Sequence, residues 1–186
     1  MEDRVRNAQA GEEERVVLVD ADGRDLLSAD GSQRTLGKAE AHRLGSRHRA
    51  VSVFVFDGER VLLQRRAEAK YHSGGLWTNT CCTHPRPGEA PAEAATRRLA
   101  EEMGVRCELV ELFQFTYHAP VGVDVFEHEF DHVFSGEWRG TPTPLADEVS
   151  EWRWAPARDL ADELEREPWR FTYWLRDCFA RVLATR

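Results

Sequence analysis

Two rhythms of apolar and polar positions run along the chain, one of period two and one near 3.6. Residues 51–56 read VSVFVF, an apolar run of strand length, and residues 61–63 read VLL. Asp57-Gly58 lies between them, and that pair predicts a β-hairpin because it accepts the positive φ of a tight turn. A shorter β-like run at 15–19 closes on Asp20-Ala21-Asp22-Gly23, a turn signal. Further strand-like runs fall at 109–117, 125–134 and 151–154. The helical rhythm is clearest over 91–103. Pro91 suits a first turn and Gly104 a stop, and Ala95, Leu99 and Met103 make one apolar stripe at i, i+4, i+8. A short helix is expected around 35–44, another near 156–166, and a last amphipathic one over 171–184 carrying Trp174, Leu175, Phe179, Val182 and Leu183. Residues 66–88, with Gly74, Gly75, Pro85, Pro87 and Gly88, read as loop. Strands, then one central helix, then strands, then helices make an α+β chain.

Length and charge narrow the classes. The 186 residues fit one domain over 15–186, and the polar, charged residues 1–14 read as a flexible tail. An apolar share of 41% is enough for a packed core. The net charge of −8, from 25 Lys+Arg against 33 Asp+Glu, argues against nucleic acid or membrane as a partner held by bulk charge. It leaves room for a local basic pocket. Four cysteines without a CxxC do not make a disulfide framework, and adjacent Cys81 and Cys82 do not form an unstrained bridge. A reduced, cytoplasmic setting is expected. The opening residues lack the apolar core of a secretory signal, and the longest apolar runs, about six residues, fall short of the ~20 that span a bilayer.

The chemistry concentrates in residues 77–105, WTNTCCTHPRPGEAPAEAATRRLAEEMGV. A loop bearing Cys and His leads into a helix that ends in paired carboxylates. Glu101 lies four residues after Arg97 and Glu102 four after Arg98, so ion pairs along a solvated face are one reading of them. The spacing also resembles a Nudix box, in which Glu89, Arg97, Leu99, Glu101, Glu102 and Gly104 take the pattern's positions. Thr83 stands where the pattern has its first Gly, and Arg98 where it has a Glu that helps hold the catalytic magnesium of Nudix hydrolases. Four further segments, WTNTCCTHP, HRAVSVFVFDGERVLLQRR, EHE at 127–129 and PWRFTYW, resemble the type I isopentenyl-diphosphate isomerases. The resemblance runs over residues 15–180, in order and spacing.

It implies a Nudix-type α/β/α sandwich, a central mixed β-sheet flanked by helices. It also implies an isomerase of isoprenoid biosynthesis, acting on a small prenyl diphosphate as a monomer. The residues suit that chemistry. Moving a double bond in an unactivated alkene takes a proton delivered to one carbon and another removed from its neighbour. An acid and a base on opposite faces, water exclusion and an electron-rich group near the cation are needed. A Cys of ordinary pKa near 8.5 is a thiol at neutral pH, so Cys82 is a candidate acid/base. Glu129 is the candidate on the other face, with Tyr117 beside it by resemblance, and Trp174 offers its π face. Cys81, Cys107 and Cys178 read as packing residues.

Glu127 and Glu129, two apart on a strand, point to one face. With His42, His48 and His84 they form the His3Glu2 site that the resemblance implies, suited to one divalent ion, Mn²⁺, Mg²⁺ or Zn²⁺. His128 alternates away, and His72, His118 and His132 read as bystanders. Lys38, Arg66, Lys70 and Arg98 match positions that hold the substrate diphosphate, and Glu102 the position that holds a Mg²⁺ carried in with it. No organic cofactor is expected. Two other readings stand beside this one. A Nudix hydrolase would want a Glu at 98 and no Cys82 or Trp174. A non-catalytic metal- or diphosphate-binding domain would be expected to lack one of the acid/base or ligand residues.

Overall fold

A computed structural model describes residues 14–186, so the tail expected over 1–14 lies outside the described residues except for Glu14. β1 (Arg15–Val17) pairs antiparallel with β2 (Thr35–Gly37), and α1 (Lys38–Leu44) follows at once. The helix expected from 35 therefore begins three residues later, because Thr35, Leu36 and Gly37 complete a ladder with Val17, Val16 and Arg15. Gly45, at φ +60, ends α1.

The hairpin expected around Asp57-Gly58 is present as β3 (His48–Asp57) and β4 (Arg60–Arg66). Two short strands, β5 (Trp77–Thr78) and β6 (Cys81–Thr83), stand where the sequence reads as loop. They add to β4 and β3, and two or three residues are too few to show a period of two. α2 (Pro91–Met103) has the expected bounds. Ala90 at its N-cap has no side-chain oxygen, but Glu93 reaches back to accept from the Ala90 N–H at 3.0 Å. Gly104, at φ +66, closes the helix with its N–H on the Ala100 carbonyl, 3.1 Å.

β7 (Val110–Gly122) and β8 (Val125–Glu137) form a hairpin longer than their apolar runs suggest. β7 is an edge strand, so Pro120 removes no ladder bond on its open side. β9 (Val149–Pro156), α3 (Ala157–Arg166), a 3-10 turn at Pro168–Arg170 and α4 (Tyr173–Thr185) complete the order. α4 starts at 173 rather than 171 because Phe171 bridges to Trp77 instead.

Seven strands form one sheet in the order β5-β4-β3-β8-β7, with β6 also on β3 and β9 on β4. The β3–β8 pair is parallel and the others antiparallel, so the sheet is mixed. Side chains of β3 alternate between two cores. Val51, Val53 and Val55 pack with Ala95, Leu99 and Met103 of α2. Phe54 and Phe56 pack with Leu160 of α3 and with Leu175 and Phe179 of α4. Helices thus cover both faces, the α/β/α sandwich expected. No helix among the described residues is long and apolar enough to cross a membrane.

Candidate active site

The parallel register of β3 and β8 sets His48 opposite Glu129. His84 follows directly after β6, the neighbour of β3, and α1 brings His42 to the same end of the sheet. Glu127 lies one pleat from Glu129 on the same face of β8. One ligand atom from each of these five buried residues lies within 4.8 Å of all the others. His84 Nε2 is 3.0 Å and His48 Nε2 3.6 Å from Glu129 Oε1, and His42 Nε2 is 3.4 Å from Glu127 Oε2. His42 Nε2, His48 Nε2 and Glu127 Oε2 are buried without any hydrogen-bond partner. Orphaned buried polar atoms are costly. Three of them turned to a common point, in a set of three imidazoles and two carboxylates, fit a divalent ion bound by nitrogen and oxygen donors.

The far sides of these ligands are held. His48 Nδ1 lies 2.8 Å from the Ser46 carbonyl, His84 Nδ1 lies 3.3 Å from Glu14 Oε1, and the Tyr71 hydroxyl meets His42 Nδ1. Tyr117 donates to Glu129 Oε2 at 2.6 Å. Burial pulls the His42 pKa down to about 2, with the neighbouring His48 and His84 charges adding to it, so its ring stays neutral and able to ligate. Burial, then the Glu129 charge, pushes Glu127 well above the usual carboxylate range. Burial acts the same way on Glu129, but the His48 and His84 imidazoles beside it outweigh it and hold Glu129 well below that range.

β6 pairs Cys82 with Ser52 of β3. The thiol donates to Asn79 Oδ1 at 3.2 Å, and the same oxygen accepts from Trp174 Nε1 at 3.1 Å. Ser52 Oγ, 3.6 Å from the sulfur, donates to Asp131 Oδ2 at 2.7 Å. Burial, then the Asp131 charge, pushes the Cys82 pKa up to about 12. Trp174, Tyr117 and Ala119 form an apolar cluster against which Cys82 packs. Cys81 and Cys178 are buried among core side chains and Cys107 packs beside α2, as expected.

Cys82, Glu129, Tyr117 and Trp174 all line one cavity of about 1080 Å³. Its rim carries Lys38, Arg66, Lys70 and Arg98, together with Glu102. Lys38 is 3.0 Å from Glu14, Lys70 meets Glu148, and Arg98 lies 2.6 Å from Glu102 and 2.7 Å from Glu148. The Arg66 guanidinium lies over the Trp174 ring, 5.5 Å from its centre. The solvated-face reading holds for Glu101, 43% exposed and 3.1 Å from Arg97, but Glu102 is buried.

His128 faces away, 2.9 Å from the Gly45 carbonyl, and the His118 ring lies tilted against it at 4.7 Å. His132 lies between Arg49 and Glu111. His72 is the correction. Read as a bystander, it is buried in the site with Nε2 3.1 Å from Glu127 Oε1, because the loop between β4 and β5 lines the same cavity. Glu14, Tyr71, Asn79, Asp131 and Glu148 are further site residues absent from the sequence reading. Asn79 could have been found, since it lies inside WTNTCC. Nothing local marked the others.

Fold and site together define a Nudix protein, and a family profile described as NUDIX domain matches residues 46–175. The fold is similar to that of DR0079 from Deinococcus radiodurans, with a TM-score of 0.71 at 19% identity over 90% of this chain and 98% of that one. Relatives in sequence are more specific. "Isopentenyl-diphosphate Delta-isomerase 2" of Aromatoleum aromaticum is 47% identical over 175 residues, 94% of this chain and 89% of that protein. The "Isopentenyl-diphosphate Delta-isomerase" of Cereibacter sphaeroides strain ATCC 17025 is 52% identical over 151 residues, 79% of this chain and 85% of that protein. The chain belongs to the isopentenyl-diphosphate Delta-isomerase family.

Proposed function

We propose that this protein interconverts isopentenyl and dimethylallyl diphosphate, with Cys82 and Glu129 as the two proton-transfer groups. The observation that carries the reading is one cavity into which a protonated thiol and an ionised carboxylate both open, beside an indole and below a rim of four cations. A proton added to the terminal methylene carbon takes the π electrons into a new C–H bond and leaves a tertiary cation. Removal of a proton from the neighbouring CH₂ returns that C–H pair as the new double bond. The π face of Trp174 and the Glu129 carboxylate stabilise the cation between the two steps. Tyr117, donating to Glu129 Oε2, orients the carboxylate and hands a proton to or from it. Asn79 fixes both the thiol and the indole through one oxygen.

His42, His48, His84, Glu127 and Glu129 would hold the divalent ion. When bound, the ion supplies a fixed positive charge that keeps Glu129 ionised in an apolar site. Mn²⁺, Mg²⁺ and Zn²⁺ all suit these donors. Lys38, Arg66, Lys70 and Arg98 bind the diphosphate. Arg98 stands where a Nudix hydrolase would carry a metal-binding Glu, which turns this part of the helix from hydrolysis to anion binding. Because Glu14, Glu102 and Glu148 already balance three of these cations, a diphosphate carrying Mg²⁺ would suit this rim, and Glu102 would be the protein ligand to that ion. Residues 15–186 act as one domain, with both cores built on one sheet.

Phosphorus NMR of the protein with isopentenyl diphosphate and Mg²⁺ tests the reaction class. The expected product keeps its diphosphate while its alkene moves. Release of phosphate or of a monophosphate would assign a hydrolase instead.

A further inference from the structure

We infer that His72 is a positioning residue of the divalent-ion site, holding Glu127 by one carboxylate oxygen so that the other faces the imidazoles. The inference rests on the proposal that the five residues above bind an ion. Four of them have an outer partner already described: Tyr71 for His42, the Ser46 carbonyl for His48, Glu14 for His84 and Tyr117 for Glu129. Glu127 is the fifth. His72 Nε2 lies 3.1 Å from its Oε1, and its Oε2 is the orphaned oxygen facing His42. A ligating carboxylate free to rotate loses affinity, and outer partners are what stop that rotation.

The geometry around His72 fixes its ring. For Nε2–H to donate to Glu127, Nδ1 must accept, and the Ser73 hydroxyl is 3.2 Å from it. The ring meets Tyr71 edge-on at 4.5 Å, His42 at 5.5 Å and Trp174 at 6.4 Å. Its backbone carbonyl accepts from Arg66 Nη2 at 3.3 Å. Ser73 turns the chain at φ +51, directly after His72. Lys70, Tyr71 and His72 are consecutive, so one loop serves the diphosphate rim and two ion ligands together. His72 is not itself one of the five converging groups, and its Nε2 addresses the oxygen on the far side of the carboxylate.

The test is the dissociation constant for Mn²⁺ alone, read from the resonance signal of free Mn²⁺, on the full chain and on H72F, H72Q and H72A. Phe fills the ring volume without a donor, and the Gln amide reaches the place of Nε2 with one. We expect H72F and H72A to bind about 10- to 100-fold more weakly, and H72Q to recover most of the loss. Near-UV circular dichroism establishes that each variant is folded; should H72A not fold, the Phe and Gln variants decide. Affinity in H72F within about twofold of wild type overturns the inference while leaving the ion site standing. A loss in H72F that H72Q does not recover overturns it too, since packing would then explain the effect. A wild-type chain that binds no Mn²⁺ overturns the ion site and the inference together.

Discussion

The Cys82 thiol donates to Asn79 inside an apolar wall, and its pKa, pushed up to about 12, keeps it protonated through the physiological range. That is the state an acid needs, and it makes the sulfur a poor nucleophile. Iodoacetamide at pH 8 should therefore alkylate Cys82 at least about 10²-fold more slowly than a free thiol, followed by mass spectrometry of its peptide. Labelling at the rate of a free thiol would mean an activated thiolate and a different chemistry. At this scale the sequence was most informative where residues fall in short motifs. Cys82, His84, Glu127 and Glu129 sit in TNTCCTHP and EHE, and the structure brings them together with His42 and His48. His72 was misread because its meaning lies in a contact with β8, far along the chain, and the Tyr and Ser beside it gave no period to read. Glu14 and Glu148 escaped for the same reason: each is an ordinary surface-type acid until the fold sets it against a cation of the rim.

Among the elements, α2 shows how local rules and site chemistry share one segment. Its apolar stripe buries Ala95, Leu99 and Met103, and the residues between them leave Arg98 and Glu102 on the cavity. Arg98→Ala should raise KM for the diphosphate substrate by about 10- to 100-fold, the worth of a charge-assisted contact, with a smaller effect on kcat. Steady-state kinetics would contradict the assignment if KM were unchanged. At the end of the helix, Gly104 at φ +66 leaves no room for a side chain, since a Cβ there would sit 2.0 Å from Thr143 Oγ1. Gly104→Ala should destabilise the fold by about 1–3 kcal/mol, visible as a lower denaturant midpoint. A midpoint unchanged from wild type would mean that the turn relaxes freely. Pro91 and Gly104 made this helix legible to the residue. The two- and three-residue strands β5 and β6 were not, because pairing with β4 and β3 creates them rather than any pattern of their own.

For the whole molecule, the α+β class followed from the order of strands and helices in the apolar pattern, and the cover of helices on both faces from the resemblance to Nudix proteins. The parallel pairing of β3 with β8 did not, since those strands lie far apart in sequence and hairpin signals speak only of neighbours. That pairing is what builds the ion site, by setting His48 beside Glu129. The same burial ties stability to pH. Burial holds the pKa of His42 at about 2 and of His72 at about 3, below the roughly 6.5 of an unfolded chain. Both rings stay neutral in the fold while the unfolded chain takes up protons, so their contribution is whole above pH ~6.5 and is lost as the pH falls below it. With divalent ions chelated, imidazole proton NMR should show the His42 and His72 rings still neutral at pH 5, where a free imidazole has taken up its proton. Rings that titrate near pH 6.5 would mean that they are not buried neutral. Protons also compete with metal for imidazole, so Mn²⁺ affinity should weaken in the same direction.

The central claim is proton transfer to and from carbon by Cys82 and Glu129, and deuterium reports it directly. Proton NMR of wild type and Cys82→Ser with isopentenyl diphosphate and Mg²⁺ in D₂O follows product and label at once. We predict dimethylallyl diphosphate carrying deuterium in its methyl group from the wild type, and a rate about 10²- to 10⁴-fold lower from Cys82→Ser at unchanged Mn²⁺ affinity. Isomerisation without deuterium uptake, or a Cys82→Ser rate close to wild type, would contradict it.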